Sequence, residues 1–200
     1  PQSTLLSEAK TFAVCYADTD GTSSDTTWRD SYIRLMISKL ESLSAHAVTH
    51  FTDGQIARVG GSKLVWDGSR YVSTAVADLE LTYTGSLGSN RWVSLVDETL
   101  NGNFPCADAN VAAAGYDSLH TGAAQGSSSV VTFDTKDLST LKTFAACYTE
   151  GDGTASAAWV DSGVRLAVSK ITELHYDGPS TTSFPVRTMR STNVMAATNR

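Results

Sequence analysis

Residues 10–28 read KTFAVCYADTDGTSSDTTW, and residues 142–159 read KTFAACYTEGDGTASAAW. One stretch is written twice, with a cysteine at the same place in both. The match runs outward over LSEAKTFAVCYADTDGTSSDTTWRDSYIRLMISKLESL (6–43) and LSTLKTFAACYTEGDGTASAAWVDSGVRLAVSKITEL (138–174). Roughly half the positions agree, far beyond chance for so varied a stretch, so this is an internal repeat. The offset is 132 residues through the Asp-Gly pair and 131 from the tryptophan onward, because the second loop is one residue shorter. A period of that length repeats a whole domain rather than one turn of a solenoid.

Each copy reads as strand, turn, strand. In TFAVCYA, Phe12, Val14 and Tyr16 alternate with Ala13 and Cys15, the period of a pleated strand. DTDG and EGDG follow, and Asp-Gly supplies the positive φ of a hairpin turn. After Trp28 and Trp159 come IRLMISKL and VRLAVSKI, where Leu35 with Ile37, and Leu166 with Val168, restore the alternation. Ahead of the second copy, LELTYTG (79–85), RWVSLVDETL (91–100) and SSVVTFD (128–134) contain further short strands separated by turn residues, and ADANVAAAG (107–115) has the length of about two helical turns. Only PQSTL precedes the first copy.

These observations predict an all-β chain of tandem β-sandwich units, the first incomplete. Residues 1–43 are the back part of one repeat. Residues 44–78 are a spacer, with HAVTHF and SKLVW as strand candidates. Residues 79–174 form a whole repeat, and 175–200 begin the next spacer. The expected origin is a processed or excised segment of a longer array. Equivalent patterns bury equivalent faces, so the two hairpins should share one register and Trp28 and Trp159 similar burial. An incomplete first unit leaves an apolar face and open sheet edges. The spacer 44–78 folding back is one way to cover them, and completion by a neighbouring chain is the favoured one.

A strand with Phe-x-x-Cys-Tyr, an acidic glycine turn, a tryptophan and then a strand with Arg-Leu-x-x-Ser resembles the last hairpin of immunoglobulin-like or fibronectin-like surface modules. The resemblance covers one hairpin per unit. It implies a sandwich of about seven strands used in series as a stalk or adhesion array. One departure stands out: Trp92 precedes Cys106, whereas the antibody pattern places its tryptophan after the first cysteine.

The three cysteines fit the same division. Cys106 and Cys147 lie on two segments of the whole unit, and Cys15 is the repeat-equivalent of Cys147. A Cys106–Cys147 disulfide leaves Cys15 unpaired or available for an intermolecular bond. Such a bridge closes a loop of about 40 residues, worth about 3–4 kcal/mol in the chain-entropy picture. Three buried free thiols are the alternative. The disulfide reading, together with the quarter of the chain that is serine or threonine, points to an extracellular or cell-surface location.

Composition narrows the partners. Hydrophobic residues make up 41% and charged residues 18%, enough for a core. The net charge is −6 and the fifteen basic residues are scattered, which argues against nucleic acid and against an anionic membrane surface. No apolar run approaches the roughly 20 residues of a membrane-spanning helix.

Candidate chemistry is sparse. Asp18-Thr-Asp20-Gly21 resembles the start of a calcium loop, but the twelfth position, where an EF-hand needs glutamate, is Arg29. A hairpin turn accounts for it, as for Asp152-Gly153. A junction site helped by Asp30 or Asp161 is the other reading. His46 and His50 have zinc-like spacing only if helical, and their setting is β-branched. There is no G-x-S-x-G elbow, and Glu98, Glu150 and Asp161 stand at no defined spacing for glycoside chemistry. No catalytic residue, metal or cofactor is therefore expected. Trp28 with Asp30 and Trp159 with Asp161 suit either closure of a sandwich end or stacking on a sugar. The expected function is a non-enzymatic structural or adhesive repeat protein contacting other copies or repeats, part of a filament, stalk or surface array. A carbohydrate-binding module that takes glycans is the alternative.

Overall fold

The computed structural model describes residues 6–172 and, beyond them, the backbone of strands Leu174–Asp177 and Val186–Met189. The chain divides into two compact units, Pro1–Lys39 and Leu40–Arg200. It is all-β apart from a few short helical turns.

The first unit is one antiparallel hairpin, β1 (Thr11–Tyr16) with β2 (Arg29–Met36). The second is a β-sandwich. Its strands are β3 (Leu40–Ala45), β4 (Val48–His50), β5 (Asp53–Ile56), β6 (Ser62–Trp66), β7 (Tyr71–Ala75), β8 (Leu79–Gly85), β9 (Trp92–Asp97), β10 (Ala124–Gln125), β11 (Val130–Phe133), β12 (Thr143–Thr149) and β13 (Val160–Val168). One sheet has the order β10-β9-β12-β13-β5 and the other β11-β8-β3-β4. All pairings are antiparallel except β5 with β13. β6 and β7 form a separate hairpin, as do β14 (Leu174–Asp177) and β15 (Val186–Met189).

The period-2 pattern explains the layering. Leu79, Leu81 and Tyr83 of β8, with Val131 and Phe133 of β11, face inward from the smaller sheet. Val93 and Leu95 of β9, Phe144, Ala146 and Tyr148 of β12, and Val164, Leu166 and Val168 of β13 face them from the larger. A register shift at Glu41 lets Leu40 and Leu43 both point into this core. The other face of the larger sheet is covered too. Val96, Ala145 and Cys147 meet Cys106, Ala112 and Trp159 in a second cluster. This explains why β12 is buried on both faces.

The cover is the irregular segment between β9 and β10, with short turns at Leu100–Asn103, Pro105–Ala107 and Ala109–Ala112. The helix expected over 107–115 is a single turn. It is capped by the Asp108 carboxylate, which accepts from Asn110 N, and pinned by Ser94 Oγ donating to Ala112 O at 2.7 Å.

Part of the segment expected as a spacer, 44–78, pairs into the second unit. β3 pairs with β8, and β5 runs beside β13, so the second unit begins at Leu40. The segment was hard to read because its strands are short and sharply turned. The β3–β4 connection is two residues, His46 and Ala47, both at positive φ (51° and 62°), without the Asn-Gly or Asp-Gly that usually marks such a turn. The spacer start expected at 175–200 lies largely outside the described residues.

Candidate functional site

The repeated block holds most of the candidate residues, and its two copies have the same register. Phe12 faces Leu35 as Phe144 faces Leu166, and Cys15 faces Asp30 as Cys147 faces Asp161. Both ladders slip at one point. Ser162, Gly163 and Val164 together oppose Ala146, and Ser31, Tyr32 and Ile33 together oppose Val14.

A shared pattern, Asp-Ser-x-x-Arg, builds this bulge. The serine hydroxyl donates to the carbonyl of the lone opposing residue, Ser31 to Val14 at 2.6 Å and Ser162 to Ala146 at 2.7 Å. The aspartate accepts from the N–H of the left-handed middle residue, Tyr32 (φ 62°) or Gly163 (φ 83°). The arginine then closes over the bulge with two bonds to the same carboxylate, Arg34 to Asp30 at 2.8 and 2.6 Å and Arg165 to Asp161 at 2.8 and 2.7 Å. Arg165 Nε also lies 3.3 Å from Glu98. Burial pushes the Asp161 carboxyl up, but Arg165 and the Gly163 N–H outweigh it and hold it below the usual range. Asp30 and Asp161 are thus engaged as arginine partners. The sequence reading missed these arginines and serines as a unit, although their identical spacing in both copies was the available signal.

The Asp-Gly loops also close on themselves. Asp20 Oδ1 accepts from the N–H and hydroxyl of Thr22, and Asp152 Oδ1 does the same with Thr154. Both glycines have positive φ, 66° at Gly21 and 76° at Gly153. Each tryptophan ring N–H donates to the threonine carbonyl of its own loop, Trp28 to Thr22 at 3.0 Å and Trp159 to Thr154 at 3.1 Å. Asp25, in the longer first loop, accepts from Thr27, Thr19 and Gly21, and those donors hold it far below the usual carboxylate range.

Here the copies part. Trp159 is 7% exposed, whereas Trp28 is 47% exposed, so the expected equal burial does not hold. Trp159 packs under the cover segment of the second unit. No such cover lies within the first hairpin.

The disulfide expected between Cys106 and Cys147 is present, with both residues buried and their Cα atoms 5.4 Å apart. It ties the cover segment to β12. Cys15 is an exposed free thiol. A second tie is Asp97 at the end of β9. Its carboxylate accepts from the N–H and hydroxyl of Thr99 and lies 2.6 Å from Lys142 Nζ. Burial alone pushes this carboxyl up; Lys142 and Thr99 outweigh it and hold it low.

The arrangement therefore stiffens loops and locks a hairpin to a cover. Its carboxylates already accept from their own loops, from arginine or from Lys142. Among the described residues, no group of three or more His, Cys, Asp or Glu side chains is placed to hold a metal ion. His46 lies in the β3–β4 turn, and His50 packs so closely on Gly54 that a β-carbon there would lie 2.0 Å from its Nδ1. Among the described residues no helix is long and apolar enough to cross a membrane. Comparison with protein-family models, curated proteins and solved structures finds no match.

Proposed function

We propose that this chain is a structural segment of an extracellular or cell-surface repeat protein, built from immunoglobulin-like sandwich modules in series and acting without catalysis. The observation that carries this reading is the repeated hairpin. The same register, bulge clamp and loop occur twice, once sealed inside a sandwich and once at the start of the chain. The two copies share the parts that make the fold, and the loop carboxylates are engaged in holding it. Two facing, largely antiparallel sheets support the immunoglobulin-like assignment. A buried disulfide supports an oxidising compartment. In this reading the partners are neighbouring repeats and other copies of the protein.

The test is surface labelling. An antibody raised against the folded chain should label unpermeabilised producing cells, on threads or a layer visible by electron microscopy. Labelling only after permeabilisation would overturn the proposal.

A further inference from the structure

The first hairpin presents a face whose covering is specified elsewhere in the same molecule. Ile33 and Leu35 are 55% and 53% exposed, while their equivalents Val164 and Leu166 are fully buried. Tyr16, Trp28 and Cys15 are exposed; Tyr148, Trp159 and Cys147 are buried. In the second unit that burial comes from β9 along one edge of the hairpin, β5 along the other, the smaller sheet beneath, and the Cys106 turn above. Sequence, register and bulge are held in common, so the first hairpin has the shape to receive the same set of partners.

We infer that the first hairpin is a docking and disulfide site for a further front segment with the pattern of residues 40–137. Cys15 bonds to that segment's counterpart of Cys106. This inference rests on the in-series reading above. The chain's own front segment is not available, because its β9 edge, β5 edge and Cys106 are all engaged by the second hairpin. The bond forms by thiol–disulfide exchange. Two thiols lose two protons and two electrons to an oxidant of the glutathione-disulfide class, which leaves as two thiols.

The repeat alignment sets the experiment. Leu138 corresponds to Leu6, so residues 40–137 joined directly to Leu6–Arg200 restore an unbroken period. This extended chain, refolded in a glutathione redox buffer, should show Cys15 linked to the added Cys106. Alkylation of Cys15 by iodoacetamide should slow by roughly 100-fold or more relative to the unextended chain. With the added Cys106 changed to Ser, hydrogen exchange across residues 11–16 and 29–36 should still slow, and Leu35→Asp should abolish that protection. An alkylatable Cys15 with unprotected strands in the extended chain would overturn the inference. So would a Cys15–Cys147 link. Surface labelling of producing cells is independent of these results, so failure here leaves the broader reading to its own test.

Discussion

Reducing the Cys106–Cys147 disulfide should cost about 4 kcal/mol of stability. The bridge spans a sequence separation of 41 residues. Chain entropy for a closed loop of that size amounts to about 13 cal/mol/K, or about 4 kcal/mol at 25 °C. Against the roughly 5–15 kcal/mol of an ordinary domain this is a large share. The comparison is best made in a Cys15→Ser background, where the exposed thiol cannot exchange with the bridge. Urea unfolding, followed by hydrogen exchange over β12 and β13, should show a lower midpoint after reduction. It should also show a steeper denaturant dependence, because the unfolded chain is no longer tied and exposes more surface. Reduction should be slow in the folded state, since both cysteines are buried and the bridge opens only with the cover segment. A loss below about 1 kcal/mol would refute the reasoning. It would mean that the cover is held by its apolar contacts and by Ser94, with the bridge adding nothing.

Other substitutions separate the two copies and their ties. Trp159→Ala should cost about 3–5 kcal/mol in urea unfolding, and Trp28→Ala less than about 1.5, because only the Trp159 ring is buried. Gly153→Ala should destabilise by at least about 2 kcal/mol in thermal melts: it combines positive φ with a β-carbon 2.2 Å from the Trp92 ring. Asp97 and Asp161 have carboxyls held below their unfolded value of about 3.9. The stability they supply is fully present above that pH and is lost as pH falls through the lower folded values, so midpoints measured from pH 6 downward should drop below about pH 4. Asp97→Asn should flatten that drop, and an unchanged profile would rule out its part. Arg165→Ala should cost about 1–2 kcal/mol and Arg34→Ala less, since the Arg34–Asp30 pair is more exposed and lacks a second carboxylate such as Glu98; calorimetry of the two variants checks the ranking.

Much of both sheets was legible because the signals are local. LELTYTG corresponds residue for residue to β8, and the alternation in TFAACYT places Phe144, Ala146 and Tyr148 on the face the structure buries in the main core. The repeat itself announced that the hairpins would match, down to register. The cover segment was less legible. Its turns have no period, and it is held by long-range partners, the disulfide at Pro105–Ala107 and Ser94 at Ala109–Ala112. Equal patterns also misled at the tryptophans. A pattern fixes which face is apolar, but burial needs a second surface, and the two hairpins differ in what covers them. Asp30 and Asp161 looked free because their partners are set by the three-against-one bulge, where a left-handed residue turns the chain.

The parallel pairing of β5 with β13 has a mechanical consequence. Arg165↔Asp53 through Val168↔Ile56 run side by side, flanked by Arg165 N donating to Thr52 O and Ser169 N to Ile56 O. The chain enters the module ahead of β5 and leaves it after β13. Tension that reaches these strands pulls one backward and the other forward along their common axis. The ladder is then loaded in shear, with its bonds strained together rather than peeled one after another. Beyond that point the cross-link holds residues 106–147 as a closed loop, so a stretched module yields only part of its contour until it is reduced. A string of such modules would work as a tether with a stiff limb and a reserve of length gated by thiol chemistry.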